Sequence, residues 1–201
     1  NRVYNFSAGP AVLPLEVLEE ASRELPNFHG QGMSILEMSH RGATYSAIHE
    51  EARTNLRELL AIPETHDILF LQGGGHLQFA MVPLNLLGAA AEATYIVNGV
   101  WSKKAATEAA KFCHGIDFLS RPIDFAKHAL VFAGAQKNFG PAGLTVVIVR
   151  KNLLGLAPES CPTMLNYAVH AKADSLYNTP PVFAVYMACL VTRWLKKEGG
   201  I

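Results

Sequence analysis

The sequence has few cysteines, no net charge and no long apolar segment. Its three cysteines, Cys113, Cys161 and Cys189, are odd in number and lack the spacing of a metal site, so they indicate free thiols of a cytoplasmic protein. Seventeen basic residues balance seventeen acidic ones, which argues against a nucleic-acid-binding surface. The longest apolar run, roughly residues 180–191, is too short to span a bilayer. The first ten residues do not resemble a signal peptide.

The chain nevertheless has ample material for a core. Half of its 201 residues are hydrophobic and the mean hydropathy is +0.16. This length suits one α/β domain, or one domain and part of another. We place an N-terminal arm at residues 1–14 and the domain at residues 15–201. Predicted strands alternate with predicted helices, which favours a mostly parallel, doubly wound sheet.

Apolar periodicity and turn residues predict the individual elements. The predicted helices cover residues 15–25, 45–59, 76–87 and 100–112, with a last helix that begins near residue 180. The predicted strands cover residues 67–72, 93–98 and 145–149, with a further short strand that begins at residue 130. The strand at 145–149 reads as buried on both faces. Thr179 is the expected N-cap of the last helix, Pro180 its first residue and Gly199 its C-cap.

The segment from Leu130 to Asn138 carries the most specific signal. A short apolar strand ends there at a small-residue turn that presents a single lysine, Lys137. A lysine at the end of a sheet strand, with little charge around it, suits Schiff-base chemistry because burial favours the neutral amine. Taken alone, the pattern is more typical of a solvated surface lysine.

A second signal is a strand followed by three glycines and a helix. Residues 67–72 lead directly into Gly73–Gly75 and then into the helix predicted from His76. Glycines let the backbone approach an anion, and the unpaired N–H groups of a first helical turn can bind it. The spacing fits neither the Walker loop nor the dinucleotide fingerprint, so a plain tight turn remains an alternative.

Three further positions could complete a ligand site. Trp101 follows a predicted strand and could stack on a flat ring, or it could pack in the core. Arg41 lies in a turn and could grip a carboxylate, although an ordinary surface arginine fits as well. Asn178 and Thr179 form a second possible anion site that also serves as a helix cap. Together with Lys137 and the glycine turn, these residues supply what pyridoxal phosphate requires.

Six motifs also occur in the order found in a known family. They are Asn5-Phe6-Ser7-Ala8-Gly9-Pro10, Ser39-His40-Arg41-Gly42, Gln72-Gly73-Gly74-Gly75, Asn98-Gly99-Val100-Trp101, Ala133-Gly134-Ala135-Gln136-Lys137-Asn138 and Tyr177-Asn178-Thr179-Pro180-Pro181. On these motifs the chain resembles the phosphoserine aminotransferases, a class-V, fold-type I family of homodimeric pyridoxal-phosphate enzymes of serine biosynthesis. The resemblance covers nearly the whole chain. It implies the cofactor-binding large domain of that fold, a mostly parallel seven-stranded-type sheet flanked by helices, incomplete in this chain.

The resemblance implies roles around the cofactor, pyridoxal 5'-phosphate. Lys137 would form a Schiff base with it and later carry the proton between substrate and cofactor. Gly75 and His76 would bind its phosphate at the helix N-terminus. Trp101 would stack on its ring, and Gln136 would lie beside the phosphate.

The resemblance also implies a shared site and acidic substrates. Asn178 and Thr179 would reach the cofactor phosphate of the neighbouring subunit in a homodimer. His40 and Arg41 would bind the acidic groups of the substrates. The implied reaction transfers an amino group between L-glutamate and 3-phosphohydroxypyruvate, giving O-phospho-L-serine and 2-oxoglutarate. Some members of the family also act on a related phosphorylated keto acid in pyridoxine biosynthesis.

Two departures from the family pattern stand out. The family continues into a small C-terminal domain with further substrate-binding residues, which this sequence does not include. Between Phe112 and Asp117 it also has a long segment, with a threonine for the cofactor and an aspartate that pairs with the pyridinium nitrogen. Asp117 itself matches a different aspartate. Because a protonated ring nitrogen makes the cofactor a strong electron sink, we expect amino transfer by this chain to be severely impaired.

Three alternatives remain open at this stage. The chain could be another fold-type I aminotransferase or a desulfurase-like lyase, although no recognisable loop carries a reactive cysteine. If the internal segment is truly deleted, the chain could be an inactive fragment that dimerises or binds phosphorylated ligands. The sequence does not separate a deletion from a longer protein of which these are parts. No metal, nucleic acid or membrane partner is predicted.

Overall fold

The computed structural model describes residues 2–88, 97, 99–110 and 124–200. Its helices are α1 (Leu15–Glu24), α2 (Ala43–Leu59), α3 (Gly74–Leu86), α4 (Val100–Ala109), α5 (Tyr167–Lys172) and α6 (Val182–Lys197). Its strands are β1 (His66–Leu71), β2 (Leu130–Gly134) and β3 (Thr145–Arg150). The predicted strand at 93–98 lies outside the described residues except for Val97, and the junction between Phe112 and Asp117 lies wholly outside them.

The three described strands form one sheet in the order β1-β3-β2. β3 is antiparallel to both of its neighbours, so β1 and β2 run parallel to each other. The expectation of parallel pairing is therefore wrong for these strands. Only residues 135–144 connect β2 to β3, and a parallel pair would need a longer crossover.

Helices cover both faces of this sheet. One face packs against α1, α2 and α6, and the other packs against α3 and α5. The side chains of β3 alternate between the two cores: Val146 and Ile148 on the first, Val147 and Val149 on the second. Residues 145–149 are buried throughout, which confirms the prediction of a strand buried on both faces.

The last helix starts later than predicted. α6 begins at Val182, and its N-cap is Pro181, which makes no side-chain cap hydrogen bond. Thr179 is therefore not the N-cap, and Pro180 is not the first helical residue. The reason is steric, because a residue that precedes a proline is disfavoured in the α conformation, and Pro180 precedes Pro181.

The C-terminal end of α6 agrees with the prediction. Gly199 has a φ of +103°, and its N–H donates to the Lys196 carbonyl at 3.3 Å. The Gly200 N–H donates to the Leu195 carbonyl at 2.8 Å. These two bonds form a Schellman motif, which requires a left-handed residue that glycine adopts without strain.

A buried histidine makes the stability of the fold sensitive to acid. His49 of α2 is 3% exposed, and its ring meets the Phe70 ring edge-on at 4.9 Å. Burial, with a smaller contribution from Arg53, lowers the pKa of His49 from 6.5 to about 4. Between pH 6.5 and about pH 4, His49 therefore takes up a proton in the unfolded chain but not in the folded chain. The free energy of unfolding should fall as the pH drops toward 4, by about 2 kcal/mol at pH 5.

Urea unfolding at pH 7 and pH 5 measures this loss. His49→Leu cannot take up the proton, so its unfolding free energy should lose about 2 kcal/mol less than the wild-type chain between the two pH values. An equal loss in both proteins would show that His49 is not the acid-sensitive group.

Candidate active site

Two of the predicted motifs meet at one edge of the sheet. The last residues of β1 and β2, Leu71 and Gly134, both pair with Thr145, the first residue of β3. The glycine turn follows β1 at once, and Lys137 follows β2 after two residues. Antiparallel pairing with one central strand thus brings together segments that are far apart in the sequence.

The glycine turn leads straight into the first turn of α3. Gly73 and Gly74 have φ values of +87° and +64°, which side-chain-bearing residues rarely adopt. α3 begins at Gly74, two residues earlier than predicted, and a β-carbon at Gly75 would lie 3.5 Å from the Phe132 ring of β2. The N–H groups of this first turn have no intrahelical acceptors, so the turn can bind an anion.

Trp101 lies beside this turn and not in the core. It belongs to the first turn of α4 and is 53% exposed. Its ring lies 5.2 Å from the His76 ring at an interplanar angle of 75°, and the Lys104 ammonium lies 4.6 Å from its centre. The core-packing alternative for Trp101 is therefore wrong, and its ring is available to a ligand.

Lys137 is exposed, contrary to the expectation of burial. It lies in the turn after β2, and its Nζ donates a hydrogen bond to the Ala8 carbonyl at 2.8 Å. The N-terminal arm contacts this amine without burying it. The neighbouring Gln136 folds back toward β2, where a β-carbon at Gly134 would overlap its Oε1.

Asn178 and Thr179 also lie near this sheet edge. The Thr179 carbonyl accepts a hydrogen bond from Gln72 Nε2 at 2.8 Å, which ties the segment before α6 to the end of β1. Asn178 lines a cleft of about 140 Å³ together with Gln72 and Leu77. The side chain of Thr179 remains exposed.

His40 and Arg41 lie in the turn that precedes α2. Arg41 is exposed, and its N–H donates to Ser39 Oγ at 3.2 Å. His40 Nε2 is buried and has no hydrogen-bond partner among the described residues. Among the described residues, no hydrogen bond or ion pair links the turn of His40 and Arg41 to Lys137 or to the glycine turn.

Two features of the site were not predicted from the sequence. One is the contact of the N-terminal arm with Lys137, which the motif at residues 5–10 does not by itself predict. The other is Thr145, whose Oγ1 is buried without a hydrogen-bond partner in the described chain. No local pattern signals either feature, since each depends on segments that meet only in the folded chain. The described residues contain no metal-binding cluster of His, Cys, Asp or Glu, and no described helix could cross a bilayer.

Comparison with known proteins places the chain in a family. The family described as Aminotransferase class-V matches residues 3–118 and 116–201. A phosphoserine aminotransferase of Laribacter hongkongensis is 45% identical over 256 aligned positions, which cover 99% of this chain and 71% of the relative. The family match breaks at residues 116–118, and the alignment is longer than the chain itself.

Solved structures give the same result. The phosphoserine aminotransferase from Bacillus circulans subsp. alkalophilus is 39% identical with a TM-score of 0.92, over 99% of this chain and 71% of that chain. The PLP-bound enzyme from Trichomonas vaginalis is 33% identical with a TM-score of 0.92, over 99% of this chain and 72% of that chain. These comparisons confirm the predicted fold class, an incomplete fold-type I domain, and the pyridoxal-phosphate cofactor. The chain therefore belongs to the class-V aminotransferases and, within them, to the phosphoserine aminotransferases.

Proposed function

We propose that this chain transfers the amino group between L-glutamate and 3-phosphohydroxypyruvate, giving O-phospho-L-serine and 2-oxoglutarate. One observation carries the proposal. In a chain that aligns with a phosphoserine aminotransferase over 99% of its length, Lys137 lies at the same sheet edge as the glycine turn. A lysine amine next to an anion-binding helix N-terminus suits a phosphorylated aldehyde cofactor.

The described residues fit pyridoxal phosphate at its phosphate end. The turn of Gly73–Gly75 presents backbone without side chains, and the first-turn N–H groups of Gly75 and His76 can donate to phosphate oxygens. A β-carbon at Gly73 would overlap the side chain of Leu77, so the glycine turn requires glycine at this position. We place Gln136 beside the phosphate, as a side-chain amide that can donate a further hydrogen bond.

The described residues also fit the ring and the aldehyde. Trp101 presents an exposed aromatic face next to His76, which suits stacking on a flat ring. When bound, the cofactor supplies an electron sink for the carbanion formed from an amino acid. We assign Lys137 two tasks: its amine holds the cofactor covalently, and it carries the proton that moves during amino transfer.

We further propose that the active unit is a homodimer. The side chains of Tyr4 and Phe6 on the arm and Trp101 at the site are more than half exposed, and Tyr177 is 49% exposed, which is apolar surface that a second copy could cover. In this arrangement Asn178 and Thr179 bind the cofactor phosphate held by the other subunit. Thr179 is exposed in the single chain and is therefore free to make this contact.

A single-turnover assay tests the proposed reaction. The cofactor-loaded chain should release up to one 2-oxoglutarate per chain when L-glutamate is added, and O-phospho-L-serine when 3-phosphohydroxypyruvate follows. L-Alanine and glyoxylate serve as the control pair for related aminotransferases. Release of pyruvate from alanine without release of 2-oxoglutarate from glutamate would assign the chain to another specificity.

Arg41→Ala tests the proposed binding of the acidic substrates by Arg41. We propose that Arg41, with His40, binds their carboxylate or phosphate groups, because a guanidinium offers paired donors to such anions. The KM for both substrates should rise about tenfold or more, while the absorbance of the bound cofactor stays unchanged. Arg23→Ala on α1 is the matched control and should leave KM unchanged. A lost cofactor spectrum with an unchanged KM would place Arg41 at the cofactor.

A second candidate function is binding of phosphorylated ligands without efficient turnover. The observation that favours it is the break in the family match at residues 116–118, together with 256 aligned positions for a chain of 201 residues. We propose that this break marks the missing internal segment, which by the resemblance carries the aspartate for the ring nitrogen. Such a chain would hold the cofactor but transfer amino groups slowly.

A further inference from the structure

Apart from Phe6, which is assigned to the proposed dimer surface, the N-terminal motif of residues 5–10 has no role in the function proposed above, although Ala8 and Gly9 lie directly on Lys137. The Ala8 carbonyl accepts a hydrogen bond from Lys137 Nζ at 2.8 Å. The backbone of the next residue, Gly9, also lies against the Lys137 side chain. A β-carbon added there would lie 2.5 Å from Nζ, 2.6 Å from Cδ and 2.9 Å from Cε of Lys137. The end of the lysine side chain therefore lies against the backbone of the arm.

This hydrogen bond ties residues 2–10 of the arm to the body of the domain. The other described hydrogen bonds of residues 2–10 stay within the arm: Arg2 donates to the Leu13 carbonyl, and the Ser7 N–H donates to Asn5 Oδ1. The side chains of residues 2–10 are all exposed, with Tyr4 at 93%, whereas Leu13, farther along the arm, packs against the hydrophobic core. Because no other described hydrogen bond ties residues 2–10 to the body of the domain, the lysine and the Ala8 carbonyl position each other.

We propose that Ala8 and Gly9 form a latch that positions the Lys137 amine before the cofactor binds. In the closed state the amine points at the Ala8 carbonyl, and a hydrogen bond donated by a charged amine is stronger than a neutral one. In the open state the flexible lysine stem is free to place the amine elsewhere. Only the open fraction can react with a carbonyl carbon, so the latch sets how much of the lysine is available.

Gly9 is the specific requirement of this latch. A methyl group at this position would occupy the space now filled by the end of the Lys137 side chain. That side chain is exposed and flexible, so it can move away without disturbing the fold. Gly9→Ala should therefore open the latch while leaving the domain folded.

Acetylation of the cofactor-free chain measures the open fraction. Each reaction with acetic anhydride forms a bond between Nζ and the acetyl carbon and releases acetate and a proton. Mass spectrometry of the peptides gives the rate at Lys137 relative to two other exposed lysines, Lys103 and Lys172. Gly9→Ala should raise the relative rate at Lys137 roughly three- to tenfold, as expected for loss of one hydrogen bond.

Two further variants make the result specific. Gly99→Ala is the matched control, because a β-carbon there meets no described residue within 4 Å, and it should leave the rate at Lys137 unchanged. Deletion of residues 2–10 removes the carbonyl itself and should accelerate acetylation at least as much as Gly9→Ala. Wild-type rates at Lys137 in both Gly9→Ala and the deletion would overturn the latch.

The consequence for the cofactor rests on the proposed function, since the same amine is assigned to hold it. Covalent capture of pyridoxal phosphate should then be faster in Gly9→Ala by the same factor as acetylation. The experiments can refute the latch and the attachment of the cofactor to Lys137 independently. Faster acetylation without any cofactor capture would overturn the role of Lys137 and leave the latch intact, whereas capture at equal rates in both chains would overturn the latch.

Discussion

Replacing Lys137 with alanine is expected to abolish amino transfer while the chain still binds pyridoxal phosphate without a covalent bond. The amine at this position is assigned both the attachment of the cofactor and the movement of the proton. Loss of both tasks should lower the rate of amino transfer about a thousandfold or more. The rate of 2-oxoglutarate release from glutamate and the amount of cofactor retained after gel filtration measure the two parts of this prediction.

The matched control for this variant is Lys127→Ala. Lys127 is also exposed, but it forms an ion pair with Asp124 at 3.0 Å, away from the glycine turn. This variant should keep the wild-type rate and the wild-type cofactor spectrum. If Lys137→Ala retained the full rate of amino transfer, the assignment of the covalent attachment to Lys137 would be refuted.

Restoring the missing internal segment should produce the second large effect, in the opposite direction. The segment of the Laribacter hongkongensis relative, inserted between Phe112 and Asp117, should raise the turnover number about a hundredfold or more. The resemblance places in it the aspartate that pairs with the ring nitrogen. A carboxylate there keeps that nitrogen protonated, which strengthens the electron sink. Steady-state formation of O-phospho-L-serine measures the gain.

The control for the insertion is the same segment with that aspartate changed to asparagine. It restores the length and the packing but not the charge, so most of the gain should disappear. Equal turnover with and without the segment would show that this chain does not depend on the aspartate. That result would also remove the reason to favour the second candidate function, binding without efficient turnover.

Local patterns predicted most of the described elements, because their signals lie within a few residues. The helix at 45–59 and the strand at 145–149 follow from apolar periodicity and from an unbroken β-branched run. The predicted start of α6 is wrong because Pro181 disfavours the α conformation at Pro180, a constraint that the cap signal of Thr179 does not contain. Pairing direction was wrong because it depends on the connection between β2 and β3 and not on the composition of the strands.

The site was predictable where it depends on strand ends and not where it depends on distant contacts. The glycine turn and Lys137 lie at one edge because β1 and β2 run in the same direction, which the expectation of a parallel sheet also implies. The exposure of Lys137 and its contact with Ala8 depend on where the arm lies. The relation of Arg41 to the cluster stays a prediction, since no described hydrogen bond or ion pair links its turn to Lys137.

Borohydride trapping tests most directly whether Lys137 holds the cofactor. The chain is loaded with pyridoxal phosphate, reduced with borohydride and digested, and the labelled peptide is identified by mass spectrometry. We expect the yellow colour to bleach and a single stable label to appear on Lys137, with none on Lys103 or Lys104. A label on another lysine, or no label on a chain that is fully loaded with the cofactor, would contradict the assignment.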